Sequence, residues 1–410
     1  MVTTASLSRE LLSIPTTILR GGTSKGVYLL ESDMPEDRSL WGPFLIALFG
    51  ARDATQINGL GGARPTTSKC CIVGPSSRSD ADVDYTFAQV GIGEAKVYWD
   101  FNCGNLTPAV GVFAILAGLV EPKPGVTNVS VYQTNTRMIL GIEIPTDDDG
   151  VPLTDGTGVS AGVTGTGAAA LTNFSRTVGA SLGGDLFPTG NRTDVISVPG
   201  IGDLTCTIVD LANMCVFYRA EEADLTGLEM QDRAAEVAAA SHAVRKAAQG
   251  LLDVDPAKTV PWPVSVAPRR SYTMLNGELL DAQDYDFAVR FAGIQSMLDT
   301  LHEAFPGTAS CCTAIAAVTS GTVVNELYGS GREQGAVSIG HPSGVLRIGA
   351  AVHEEDGRVV VDQATFDRTT RPIMRGESYV RRSDLDTIVA EIAKDEPTRA
   401  GVPSAVPALS

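Results

Sequence analysis

The chain has 410 residues, 43% of them hydrophobic and 19% charged, with 43 glycines. That is enough apolar material for two or three cores, and it points to a loop-rich enzyme rather than a helical scaffold. Acidic residues outnumber basic ones 48 to 31, for a formal charge of −17, which argues against nucleic acid or an anionic membrane as a partner and means that an anionic ligand needs a local basic pocket.

In chain order, "IPTTILR" and "GVYLLE" are β-rich, and "GGTSK" between them reads as a tight turn. "DRSLWGPFLIALFG" predicts a short helix. "ADVDYTFAQVGIGEAKVYWDF" alternates and predicts two antiparallel strands about a Gly turn. "TPAVGVFAILAGLV", after Cys103, has Pro in the first turn of a helix that is apolar all round, hence buried. "VSVYQTNTRMILGIEIP" predicts a strand pair. From Asp147 to Gly184 the Gly, Thr, Ser and Ala content reads as ordered loop and linker.

A second unit follows. "TDVISVPGIGDLTCTIVDLANMCVFYRAEE" is strand-rich, and "QDRAAEVAAASHAVRKAAQGLL" is an amphipathic helix. "SCCTAIAAVTSGTVV" repeats the order of polar turn, cysteine and small-residue helix, and the segment from Ser338 to Val380 returns to strands. The tail from about Asp395 is Pro- and Ala-rich and expected to fray. Both halves thus run strands, then cysteine at a buried helix start, then strands. Two similar lobes form a cleft suited to a small molecule. The expected units are 1–184, 185–385 and, as helix end and tail, 386–410.

The seven cysteines are Cys70, Cys71, Cys103, Cys206, Cys215, Cys311 and Cys312. Their odd number and the absence of CxxC exclude a disulfide framework and a zinc site, so a reducing cytoplasm is expected. The N-terminus lacks the pattern of a secretory signal, and no uninterrupted apolar run reaches about 18 residues, so no membrane span is expected.

Two residues carry candidate chemistry. The amides and positive partial charge at a helix start favour a thiolate, and Gly104 lets a carboxylate approach. Cys103 is therefore either an acid/base or a small buried hydrophobe. Lys69 follows the hydroxyls of Thr66, Thr67 and Ser68 at a strand entrance; it is either a desolvated base or a surface lysine. "RGGTSKG" (Arg20 to Gly26) matches neither phosphate-loop fingerprint, but its amides, hydroxyls and cations can hold carboxylates. The four histidines show no HxxxH spacing for a metal.

"RGGTSKG", "TTSK", "FNCGNLTPAVGVFAI", "GVTGTGAA", "FPTGN", "VDLANMCVFYRAEEADLTG", "SGTVV" and "IGHPSG" occur in this order. Together they resemble the PrpF family over roughly Pro15 to Val380. The resemblance implies an α+β fold of the diaminopimelate-epimerase type, with two pseudo-symmetric lobes, each a curved antiparallel sheet around a central helix. It implies a cofactor-independent isomerase of an unsaturated polycarboxylate such as aconitate, methylaconitate, methylitaconate or 4-oxalomesaconate. The family's functional Lys and Cys carry over to Lys69 and Cys103.

The matched motifs supply the substrate-binding candidates Arg20, Ser24, Lys25, Thr66, Thr67, Ser68, Asn102, Gly104, Asn105, Thr166, Gly190, Asn191, His341, Ser343 and Gly344; Arg64, where the family pattern has small residues, is a departure from it and is either a third cationic carboxylate ligand or a solvent-facing side chain. Cys311 and Cys312 stand as candidates for a second acid/base, because epimerases of this fold carry a second catalytic Cys at that helix. No cofactor or metal is expected, and the partners are a small polycarboxylate and a second copy of the chain. Two alternatives remain: a two-thiol racemase or epimerase, and a non-catalytic carboxylate-binding protein.

Overall fold

The structure, a computed structural model, describes residues 9–160, 162–292, 301–329 and 335–395; the expected frayed tail falls outside them. In chain order come β1 (Leu11–Gly21), β2 (Ser24–Leu30), α1 (Trp41–Phe49), β3 (Lys69–Pro75), β4 (Val83–Val90), β5 (Val97–Tyr98), α2 (Thr107–Leu116), β6 (Val126–Gln133), β7 (Met138–Pro145) and β8 (Ala169–Asn173). The second half contributes β9 (Asp194–Val198), β10 (Gly202–Val209), β11 (Cys215–Arg219), α3 (Ala234–Leu252), β12 (Trp262–Pro268), the hairpin β13 (Tyr272–Thr273) and β14 (Leu279–Leu280), and β15 (Phe287–Phe291). It closes with α4 (Gly307–Val318), α5 (Val323–Tyr328), β16 (Gly335–His341), β17 (Gly344–Glu355), β18 (Arg358–Arg381) and α6 (Arg382–Asp395).

The strands join in the order β1-β2-β3-β4-β6-β7-β8-β18-β17-β16-β15-β12-β11-β10-β9, and β18 pairs again with β1. The first eight therefore close into a ring. Residues 107–114 of α2 are all buried within it, as are all twelve residues of α4 inside the second half's curved sheet. Small side chains in "GTASCCTAIAAV" let strands approach α4 from several sides. The fold is α+β, with the pseudo-symmetric plan expected.

The sheets are mixed rather than purely antiparallel. β2–β3, β4–β6, β11–β12 and β15–β16 are parallel pairs. Parallel neighbours need a crossover, and each of these four connections contains a helix: α1, α2, α3 and α4 in turn. That repetition is the pseudo-symmetry in physical form. Alternation along β3 separates the layers. Cys71 and Val73 join the core around α2, whereas Cys70 and Ile72 join Trp41 and Phe44 of α1 on the other face.

Two details differ from the sequence expectation. The stretch read as linker holds β8, whose five residues pair with β7 and β18; distant pairing rather than local pattern makes it a strand. The second half also does not end within its own sheet. From Thr370, β18 pairs with β1, and Ile388 of α6 joins the α1 cluster.

Phe113, 5% exposed, packs its ring 5.6 Å from that of Tyr28 between α2 and the ring wall. Phe113→Ala is expected to cost about 3–5 kcal/mol in urea unfolding. A loss below about 1 kcal/mol would mean that α2 is not a tightly packed centre of the ring.

Candidate functional site

Lys69 opens β3 and stands opposite Gln89 of β4. Strand alternation puts it on the face of Cys71 and Val73, so its amine enters the ring from the rim and is 8% exposed. Nζ donates to Gln89 Oε1 at 2.5 Å and lies 5.2 Å from the centre of the Phe87 ring. The Gln89 amide donates to the carbonyls of Ser68 (2.9 Å) and Pro65 (3.3 Å). Ser68 Oγ donates to Gln56 Oε1 at 2.6 Å, and Gln56 Nε2 donates to the Gly91 carbonyl at 3.0 Å. Two glutamines thus fasten the loop that delivers Lys69.

Cys103 sits one turn ahead of α2. Its carbonyl accepts from the amides of Leu106 and Thr107, both at 3.1 Å, and from Thr107 Oγ1 at 3.0 Å. The amides of Gly104 and Asn105 therefore have no partner within the helix. In the second half, α4 begins at Gly307, and its first turn likewise leaves the amides of Gly307 and Thr308 without intrahelical partners. A Cβ on Gly104 would lie 2.7 Å from the Thr308 amide nitrogen, so only glycine lets the two helix starts meet. Asn213, 1% exposed, joins them by donating to the Asn102 carbonyl (3.2 Å) and to Thr308 Oγ1 (2.8 Å). Arg368 Nε holds Asn105 Oδ1 at 3.1 Å.

Over this junction lies a cleft that opens to solvent. Lys69, Ser24, Thr66 and Gln89 line one side, and Asn102, Cys103, Gly104 and Asn105 the floor beside Gly307 and Thr308. The remaining wall is aromatic: Phe101 meets Trp262 at 5.6 Å, Trp262 meets Phe291 at 5.3 Å, and His302 lies edge-on to Phe291 at 6.1 Å. Trp262 Nε1 is buried without a hydrogen-bond partner among the described residues. Burial, with nearby Lys69 adding to it, holds the His302 imidazole down at about 4. Burial, then Arg368, Arg290 and His302, lowers that of His341 well below its ordinary value.

Lys69, Cys103, Ser24, Thr66, Asn102, Gly104 and Asn105 thus meet at one cleft, and the other expected residues stand elsewhere. Thr67 Oγ1 donates to the Arg64 carbonyl on the outside of the loop, and Ser68 lies behind the wall on Gln56. Arg20 spends its guanidinium on the carbonyls of Gly22 and Thr369. Lys25 is exposed, and Arg64, 67% exposed, pairs with Glu303 of the second half at 3.4 Å. None of these three cations lines the cleft, whose lining offers Lys69 and the residues of the two helix starts instead.

Thr166, Gly190 and Asn191 are exposed, and Asn191 Nδ2 donates to Asp194 within its own turn. His341 is fully buried, Ser343 Oγ donates to the Glu303 carbonyl, and Gly344 pairs with His341 in the β16–β17 hairpin. Cys311 and Cys312 are corrected in position. They are the fifth and sixth residues of α4 rather than its start, both 0% exposed, and Cys312 Sγ donates to the Val209 carbonyl at 3.4 Å. Burial pushes the Cys311 thiol up. The residue facing Gly104 across the cleft floor is Thr308.

Gln89, Trp262, His302, Asn213 and Thr308 escaped the sequence reading. Gln89 gives the clearest signal, a lone amide in "VDYTFAQV"; His302 is one of only four histidines. Trp262 and Thr308 become neighbours of the first half only through the lobe junction.

A family model described as PrpF protein matches residues 11–381. The chain is 37% identical over 388 residues to 3-methylitaconate isomerase of Eubacterium barkeri, covering 92% of this chain and 99% of the relative. It is 38% identical over 387 residues to 2-methyl-aconitate isomerase of Shewanella oneidensis, covering 89% and 96%. A crystal structure of methylitaconate-delta-isomerase superposes with a TM-score of 0.76 at 36% identity, over 92% of this chain and 97% of that one.

The histidines give a pH test. His302 and His341 stay neutral in the fold but take up protons in the unfolded chain near the ordinary value of about 6.5, so their contribution to stability falls as pH drops below that. His353 has the opposite sign. Its hydrogen bond to Asp362, at 2.9 Å, raises its proton affinity, and the stabilisation is lost as pH rises through the raised value. Imidazole NMR between about pH 7.5 and 5 should show His302 and His341 unmoved and His353 titrating above about 6.5. A His302 midpoint near 6.5 would contradict its enclosed setting.

Proposed function

The chain belongs to the PrpF family and is an isomerase, and from that premise we propose that it moves the double bond of an unsaturated di- or tricarboxylate by a 1,3-proton shift. The observation that carries this reading is that Lys69 and Cys103, distant in sequence, line one cleft between two buried helix starts. The named activities of the two similar isomerases, on 3-methylitaconate and 2-methylaconitate, support the substrate class.

In the proposed sequence the Lys69 amine removes a proton from the carbon allylic to the double bond. The released C–H pair forms the new double bond, and the old π pair moves toward the far carbon. In the intermediate, charge spreads into the conjugated carboxylate as a dienolate. The Cys103 thiol delivers a proton to the far carbon and its thiolate then takes up the proton held by Lys69, which restores both groups, or Lys69 itself returns the proton it took. Nothing is oxidised or reduced, and no co-reactant is consumed. The amides of Gly104 and Asn105 and those of Gly307 and Thr308 suit the carboxylates and the developing charge, because fixed donors cost no reorganisation when charge appears. The aromatic wall of Phe101, Trp262 and Phe291 suits the carbon chain.

The burial of Cys311 and Cys312 weighs against the two-thiol epimerase. A binding protein would have no need of an amine and a thiol on one ligand, and solvent exchange separates it from an enzyme.

Proton NMR in D₂O with aconitate, methylaconitate, methylitaconate and 4-oxalomesaconate is expected to show one acid isomerised with deuterium entering the allylic positions. Lys69→Met should lower kcat/KM by about 10²–10⁴-fold without unfolding. Cys103→Ser should keep partial activity if the thiol assists and lose nearly all if it carries a proton. Cys312→Ala should turn over near the wild-type rate. Near wild-type turnover by Lys69→Met overturns the role of that residue, and a folded but inactive Cys312→Ala moves the reading to the epimerase.

The reaction also asks for no metal, and among the described residues no three His, Cys, Asp or Glu side chains cluster to hold one. Activity is expected to survive exhaustive chelation. Loss that only added metal restores would overturn the metal-free mechanism.

A further inference from the structure

We propose that Trp262 binds the acid in this cleft and helps to select it, its indole Nε1–H donating a hydrogen bond to a substrate oxygen that the helix-start amides leave free. The inference rests on the isomerase reading above and adds a contact from the second half of the chain.

Three observations carry it. First, Trp262 lines the same cleft as Lys69 and Cys103. Second, Trp262 is 3% exposed, and no group among the described residues accepts the proton of its buried Nε1. Its ring neighbours are Phe101 and Phe291, whose side chains have no acceptor oxygen or nitrogen. A buried indole N–H ordinarily has an acceptor, and the cleft is the side from which an acid brings one. Third, the ring is held in place. The Trp262 amide donates to the Met214 carbonyl at 2.8 Å, where β12 begins beside β11. Three residues earlier, Thr259 donates through its amide (3.2 Å) and its hydroxyl (2.7 Å) to Asp100 of the first half, the neighbour of Phe101. The indole therefore stands at the lobe junction with both of its flanks fastened.

That position has a chemical consequence. A carboxylate or keto oxygen satisfies Nε1–H, whereas a methyl group in the same place leaves a buried donor unpaired. A site built this way rejects an analogue that lacks the oxygen more sharply than an apolar wall rejects one of the wrong size. The donor is also uncharged. It attracts an anion's oxygen without setting a second cation beside Lys69, which would hinder the amine from accepting a proton.

The bland role for the same residue is aromatic packing between Phe101 and Phe291, which a phenylalanine would largely supply. Two measurements separate the roles. Trp262→Phe keeps an aromatic ring and removes the N–H. On the acid turned over by wild type its kcat/KM is expected to fall about 10- to 100-fold, mostly through KM, with the thermal midpoint kept. The second measurement is the indole N–H resonance of Trp262 in ¹⁵N-labelled wild type, with and without that acid at its isomerisation equilibrium. Trp41→Phe and Trp99→Phe assign the other two indoles, so this reading does not need Trp262→Phe to fold. The Trp262 proton should move downfield on binding, while that of Trp41, already bonded to the Pro35 carbonyl at 2.9 Å, stays where it is. A folded Trp262→Phe within about threefold of wild type in kcat/KM, or a Trp262 resonance that does not move downfield at saturating acid, overturns the proposal. If wild type isomerises none of the acids, the parent reading fails and this one with it; if wild type is active and either overturning result appears, only the role of Trp262 fails.

Discussion

Two helices that start at the same point hold this molecule's candidate site together. α2 emerges from one lobe and α4 from the other, and Gly104 lies against the Thr308 amide with no room for a side chain. Amides that cannot bond within their own helices collect there. Asn213, itself buried, fixes the spacing by donating to both sides at once. The closed ring of eight strands encloses α2, and β18 joins that ring to the sheet of the second half. Cys103 gains its position because its carbonyl begins the turn into α2, and Lys69 because β3 alternates from the rim inward.

This geometry answers a charge problem. A protein with a net charge of −17 has to hold a polyanion, if its substrate is the one proposed. A ring of arginines would do so but would also suppress proton removal by raising the cost of a further positive charge on a base nearby. Helix-start amides carry only partial charge and are already oriented, so they attract a carboxylate without that penalty. The cations near the lobe junction are used otherwise. Arg20 and Arg368 bond backbone carbonyls, and Arg368 also braces Asn105, while the exposed Arg64–Glu303 pair contributes little to stability.

The parts legible in the sequence are those with local causes. The hairpin at Gly22–Thr23, the strands flanking the turn after Val90 and the buried helix after Cys103 follow from turn residues and apolar periodicity. Lys69 and Cys103 stood out as candidates because hydroxyls and glycines surround them, and the resemblance to a family paired them. What stayed hidden depends on distance along the chain. β8 is a strand because β7 and β18 flank it; "AALTN" carries no strong pattern of its own. Lys25 and Arg64 look like anion ligands beside the motifs, yet the ring turns both outward. Cys311 and Cys312 look like a helix start because "SCC" follows a polar turn, yet the helix begins three residues before Ser310 and carries both thiols into the core. His302 sits in no recognisable motif and gains its setting from Phe291, Ala304 and Lys69.

A crystal structure of Lys69→Met with an unsaturated tricarboxylate bound tests the central claim most directly, since the variant should hold the acid without converting it. The expected density places one carboxylate on the amides of Gly104, Asn105, Gly307 and Thr308, with the allylic carbon facing residue 69 and the far carbon facing Cys103. An acid bound instead through Arg20, Lys25 or Arg64, with no carboxylate at the helix starts, would contradict it.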